Sequence, residues 1–106
     1  DANDWIYQTW AYERHNIAET PGTGGDMTRA LGAIAAPTLI LTGTTDLLNP
    51  EYEPQDAARH IPQARVVTIR PGSVTGHASA GGGNAQDVAF LNREVTSFLN
   101  GLQPRR

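Results

Sequence analysis

Thr38-Leu39-Ile40-Leu41-Thr42-Gly43, introduced by Pro37, is a compact apolar run without polar alternation. A strand with one wet face alternates apolar and polar residues, whereas a parallel strand covered on both faces does not. The run therefore reads as a parallel strand. Downstream, Pro50 to His60 opens on a proline, carries the helix formers Asp56, Ala57, Ala58 and Arg59, and is closed by Pro62, which predicts a crossover helix. Ala64 to Arg70 holds the β-branched cluster Val66, Val67, Thr68 and Ile69 and is stopped by Pro71-Gly72, which predicts a second strand. Strand, helix, strand in this order is the right-handed parallel crossover of a layered α/β sheet.

Beyond the second strand, Gly72 to Gly83 is too irregular for either element. Asn84, with Asp87 three residues later, resembles a capping box, and Val88, Leu91, Val95, Phe98 and Leu102 recur at three- and four-residue steps. An amphipathic helix is expected there, with Gly101 at its C-terminal cap. Toward the other end, Asp26 to Ile34 reads as a short helical piece, and Thr20 to Gly25 as a linker. Asp1 to Ile17 has Asn3 as its expected N-cap and predicts a helix whose Trp5, Tyr7, Trp10 and Tyr12 fall on more than one face. A lone surface helix would expose too much apolar area that way, so a cover from outside the segment is expected.

The chain has 106 residues, 39% of them hydrophobic, enough for a core, while 11 Gly and 7 Pro imply much loop. Two parallel strands cannot cover their own faces and edges. Either the chain is the carboxyl-terminal part of a larger protein or it completes its sheet with another chain. The opening Asp1-Ala2-Asn3-Asp4 does not look like a natural start, and the first alternative is the expectation. Eight Arg, no Lys and eleven acids give a formal charge of -3, with no basic block to neutralise phosphates, so no nucleic-acid partner is expected. No stretch of ~18 apolar residues or charged-then-apolar leader is present, so neither a membrane span nor a secretion signal is expected. Without Cys there is no disulfide, thiolate metal site or cysteine nucleophile.

In a doubly wound sheet, reactive groups gather on loops at the carboxyl ends of strands. Asp46, three residues after the first strand, and His77, in the Gly-rich loop after the second, both occupy that position. Neighbouring strands ~4.8 Å apart would bring the two loops to one rim, where a carboxylate reaches an imidazole. Such a pair fixes the imidazole tautomer and stabilises the imidazolium, while the opposite ring nitrogen takes a proton from a hydroxyl nucleophile. Each residue also has a bland role, Asp46 as a turn former and His77 as an exposed loop residue; their joint placement is what points to chemistry. A nucleophile elbow of the form Gly-x-Ser-x-Gly is absent, and Ser73, Ser79 and Ser97 read as ordinary loop or surface serines.

The glycine clusters at Gly22 to Gly25 and Gly81 to Gly83 match neither a phosphate-cradling loop nor a dinucleotide fingerprint. His15, His60 and His77 lack the close pairing that metal sites often show, and His60 reads as a dipole or cap contact at a helix end. Neither a metal nor an organic cofactor is expected. The aromatics of the first segment read as core or interface packing rather than as an acyl pocket.

Asp1-Ala2-Asn3-Asp4-Trp5-Ile6-Tyr7, Ala36-Pro37-Thr38-Leu39-Ile40-Leu41 with Asp46 and Pro50 beyond it, and the Gly76-His77 loop before a final amphipathic helix together resemble homoserine O-acetyltransferase-like α/β hydrolases. The resemblance covers nearly the whole chain. It implies an α/β-hydrolase core with a helical lid and a Ser, Asp, His triad in that chain order, with Asp46 as the acid and His77 as the general base. The serine elbow and oxyanion hole would lie upstream, and residues 1–25 would form a lid-to-core helix and linker ahead of a core portion at 26–106. A small-molecule ester or acyl donor as substrate, a possible homodimer and a cytoplasmic location are further implications. One departure bears on the acceptor. The acetyltransferases usually carry an Asp after the His, which helps bind the acceptor amine, and here Ala78 stands there. Water or a different alcohol is then the expected acceptor. Two other functional classes fit the same residues: a non-catalytic partner subunit, and a binding module that uses its aromatic first helix as an interface.

Overall fold

The computed structural model describes residues 1–69 and 75–102. Helix α1 (Ala2–Arg14) leads through a 3-10 turn at Ile17–Glu19 to α2 (Met27–Gly32). Strand β1 (Thr38–Gly43), helix α3 (Tyr52–His60) and strand β2 (Ala64–Ile69) follow, then a second 3-10 turn at Gly76–Gly81 and helix α4 (Ala85–Gly101). β1 and β2 are parallel neighbours, paired from Thr38 opposite Ala64 to Gly43 opposite Ile69. The ladder is extended at its entrance, where Thr38 N–H donates to the Gln63 carbonyl at 2.9 Å and the Gln63 amide donates to the Ala35 carbonyl at 2.9 Å. The expected end of the second strand at Arg70 and the Pro71-Gly72 stop lie outside the described residues, as does Ser73.

Local chemistry explains the boundaries that differ from expectation. The first helix is capped by Asp1, not Asn3: the Asp1 carboxylate accepts from the N–H groups of Asn3 and Asp4, and Asp4 reaches back in a reciprocal capping box. The segment from Gly76 to Gly81 is a 3-10 turn rather than irregular chain, closed by Gly82 in the left-handed region at φ 79°. Asn84 does cap α4, its side chain accepting from Gln86 and Asp87 N–H. Gly101 is the last helical residue of α4, and Leu102 is its C-cap.

Packing is concentrated at the carboxyl ends of the strands. Thr42 and Gly43 of β1 and Ile69 of β2 are buried, whereas Leu39, Ile40, Leu41, Val66 and Val67 are only half-buried. The strand expected to be covered on both faces is therefore incompletely covered among the described residues. Among the described residues, Ala18, Ile61 and Ile69 are the buried apolar ones, while Trp5, Tyr7, Trp10, Tyr12, Leu47 and Leu48 are exposed. A compact chain of this length has a radius of gyration of about 13 Å; this one has 16.2 Å. A large apolar surface thus remains open on α1 and on the sheet, an arrangement that needs a cover to be stable in water. No helix among the described residues is long and apolar enough to cross a membrane.

Candidate active site

The loop after β1 turns at once. Asp46 N–H donates to the Gly43 carbonyl at 3.4 Å, and the Asp46 carboxylate then caps the following turn, its Oδ1 accepting from Leu48 N–H and Asn49 N–H at 2.9 Å each. These two bonds use one carboxylate oxygen and aim the other away from the turn. Across the rim, Gly76 takes a φ of 55°, which favours glycine, and an added Cβ would press on the Thr45 carbonyl at 3.4 Å. The next residue, His77, thereby faces the β1 loop, and its Nδ1 lies 3.0 Å from Asp46 Oδ2. The sequence-predicted pair is brought together.

Asp46 is buried and His77 is exposed. The Asn49 N–H holds the Asp46 carboxyl below its ordinary pKa; burial opposes this, and the contact with His77 and the Leu48 N–H reinforce it. The acid is therefore an anion at neutral pH. Against it, Nδ1 of His77 carries its proton as donor, which leaves Nε2 with a lone pair and, among the described residues, no hydrogen-bond partner. A carboxylate-oriented imidazole with a free opposite nitrogen can accept a proton from a hydroxyl and return it to a leaving group.

Three features of this region escape sequence reading. Asn49 contributes a side-chain amide 3.1 Å from His77 Nδ1. Ser79, read as an ordinary loop or surface serine, is fully buried: it packs against Gly43 so closely that a Cβ there would collide with its hydroxyl. Ser79 Oγ has no hydrogen-bond partner among the described residues, so it is not engaged with His77. Finally, Asp87 is buried at the start of α4 and accepts from Thr75 Oγ1 at 2.9 Å and Asn84 Nδ2 at 3.0 Å, which ties the His77 turn to the last helix. The spacing of Asn84 and Asp87 signals the cap, but nothing local signals the bond to Thr75. Ser97 is exposed on α4, as expected of a surface serine.

The pair lines a cleft of about 450 Å³ together with Leu41, Gly43, Asn49 and Pro54. A larger cavity of about 720 Å³ lies between α2 and α3, lined by Ile17, Met27, Leu31 and Tyr52, and holds neither Asp46 nor His77. The carboxylate and imidazole contact, not volume, selects the smaller cleft. Among the described residues no cluster of three His, Asp or Glu side chains is placed to hold a metal. His60 lies in the last turn of α3, remote from His77 in sequence and absent from this cleft.

An acid after one strand and a histidine after the next follow the acid-before-histidine chain order of α/β hydrolases, and sequence comparison points the same way. The chain is 32% identical to carbamate hydrolase RutD of Pseudomonas savastanoi pv. phaseolicola, over 92% of its own length and 40% of the relative. It is 37% identical to a homoserine O-acetyltransferase of Nostoc punctiforme and 31% identical to one of Trichormus variabilis, over 90% and 96% of its own length and 26% of each relative. The chain belongs to the homoserine O-acetyltransferase-like α/β hydrolases, whose carboxyl-terminal portion it matches. It spans about a quarter to two-fifths of the length of these relatives. No family model matches it, and no solved structure does.

Proposed function

We propose that this chain contributes the acid and the base of a serine-dependent acyl-transfer enzyme, an ester hydrolase or O-acyltransferase. Asp46 is the orienting acid and His77 the general base of a Ser, Asp, His triad. The 3.0 Å contact between buried Asp46 and exposed His77 carries the reading. In the proposed reaction a serine hydroxyl gives its proton to His77 Nε2 and its oxygen attacks the acyl carbonyl. The imidazolium, steadied by Asp46, then protonates the departing alcohol. Water or a second alcohol attacks the acyl-serine, its proton again taken by Nε2 and returned to the serine oxygen. The serine and its oxyanion donors belong to a part of the enzyme upstream of this chain, in keeping with relatives that are longer than it is.

Residues 1–25 are proposed as the lid-to-core helix and linker, and residues 26–106 as core. The exposed aromatics of α1 support this division, since a helix between a lid and a core has apolar neighbours on more than one side. Ala78 in place of the acid after His77 favours an acceptor without an amine.

The test is covalent labelling of the intact protein with a fluorophosphonate, followed by mass spectrometry of the labelled peptide. The expected result is one modified serine in a Gly-x-Ser-x-Gly sequence and loss of labelling in His77→Ala. Equal labelling with and without His77 excludes it as the base. Product analysis with and without an alcohol or amino-acid acceptor then separates hydrolysis from transfer.

A further inference from the structure

Asn49 touches the site twice. Its backbone N–H donates to Asp46 Oδ1 at 2.9 Å, and the Nδ2 of its side-chain amide stands 3.1 Å from His77 Nδ1. Pro50 immediately after it restricts the Asn49 backbone, and the side chain is half-buried against the cleft wall.

Nδ1 has room for one proton. Asp46 Oδ2, an acceptor with no hydrogen of its own, lies 3.0 Å away and requires that proton to be on Nδ1. The atom of Asn49 that shares this N–H must then also be an acceptor. An amide that turned its NH2 group toward an N–H would set donor against donor. Nitrogen and oxygen of an amide exchange places by a half-turn, and hydrogen-bond bookkeeping decides between them. The amide oxygen is the atom that satisfies Nδ1.

We propose that Asn49 is a positioning residue whose Oδ1 is a second acceptor for the His77 Nδ1–H, so that one residue steadies the acid through its backbone and the base through its side chain. The inference rests on His77 acting as the base. An exposed imidazole held by one acceptor can pivot about that bond, and 57% of the His77 side chain is exposed. With Asp46 Oδ2 at 3.0 Å and the half-turn setting Asn49 Oδ1 in the place 3.1 Å away where Nδ2 stands, two acceptors fix both the tautomer and the ring rotation, which keeps Nε2 aimed at the cleft.

Two substitutions in the intact protein separate this role from simple packing. Asn49→Leu keeps the branched outline of the side chain and removes the acceptor, whereas Asn49→Asp keeps an acceptor and cannot donate. The readouts are kcat and KM on a chromogenic acetyl ester and the ¹⁵N shifts of the His77 ring, which report which nitrogen is protonated. The leucine variant is expected to lose about tenfold in kcat at unchanged KM and to show a mixture of tautomers. The aspartate variant is expected to remain within about threefold of the unsubstituted protein and to keep the proton on Nδ1. An aspartate variant as impaired as the leucine one, or a leucine variant unchanged in both readouts, overturns the proposal. Full activity of His77→Ala would instead sink the base assignment, while the ring shifts would still report the Asn49 contact.

Discussion

His77 Nδ1 lies 3.0 Å from Asp46 Oδ2 across 31 positions of sequence, with the histidine side chain 57% exposed and the aspartate 6%. This asymmetry has a direct origin. Asp46 belongs to a turn that folds back on its own carboxylate, so its anion is fixed by Leu48 and Asn49 N–H independently of the histidine. His77 comes from a glycine-entered turn and meets the anion with one ring nitrogen, leaving the other toward the cleft. A fixed buried acid with an exposed base suits proton transfer to something that enters and leaves.

Removing either partner should affect turnover unequally. In the intact protein, His77→Ala is expected to abolish ester turnover, because it removes the imidazole nitrogen that the Asp46 contact orients to take the proton. Asp46→Asn, which favours the wrong tautomer while keeping the shape, is expected to lower kcat by ~10⁴-fold, as in the serine protease triad. Steady-state kinetics on a chromogenic ester checks both, and a fully active variant at either position contradicts the roles assigned.

The acid also links stability to pH. Its carboxyl is held below the ordinary 3.8, chiefly by the Asn49 N–H, so the folded state favours the anion more than the unfolded chain does. A depressed carboxyl contributes stability that is fully present above the unfolded value and is lost as pH falls through the folded one. The melting temperatures of the wild-type protein and Asp46→Asn should therefore differ most above about pH 5 and draw together only as pH falls below the ordinary 3.8. A gap that stays constant across this range would mean that the Asp46 contacts stabilise the protonated form equally.

The strands were legible because their signals are local: an apolar run at Thr38 to Gly43 and a β-branched cluster at Val66 to Ile69, each bounded by proline or glycine. The Asp46 and His77 pair was legible because parallel strands place successive loops at one rim. Asn49 was not, since its contact depends on an amide rotamer across 28 positions of sequence. Neither was the burial of Ser79, which follows from Gly43 having no side chain, a fact about a neighbour in space. The N-cap moved to Asp1 because its carboxylate reaches two amide hydrogens, a choice that local composition leaves open between Asp1 and Asn3.

Gly43 and Ser79 give a paired test of this packing. Gly43→Ala sets a methyl group against the Ser79 hydroxyl, an overpacking expected to cost roughly 1–3 kcal/mol. Adding Ser79→Ala removes the colliding oxygen and leaves the two methyl groups about 3.5 Å apart, an ordinary contact, so the double variant should regain most of the loss. Ser79→Ala alone should be close to neutral, since its hydroxyl has no partner among the described residues to lose. Urea unfolding of the intact protein measures all three, and simple additivity of the two substitutions would argue against the contact.

The aromatic face of α1 tests whether the open surface is covered in the intact protein. Trp5 is 73% and Trp10 46% exposed, and no residue of the helix is buried. Its own contacts do little to hide it: Tyr7 meets Trp10 edge-on at 5.7 Å between centroids, and Arg14 stands 5.6 Å over the Trp10 ring. A surface tryptophan changed to alanine alters stability by about half a kcal/mol, whereas a buried one costs roughly 3–5 kcal/mol. If α1 runs between lid and core, Trp5→Ala and Trp10→Ala in the intact protein should each fall in the second range. They should do so with little change in the Asp46 and His77 contact, because α1 contributes no residue to their cleft. Values near half a kcal/mol at both positions would leave the helix standing in solvent and remove the support for residues 1–25 as a bridge between the two.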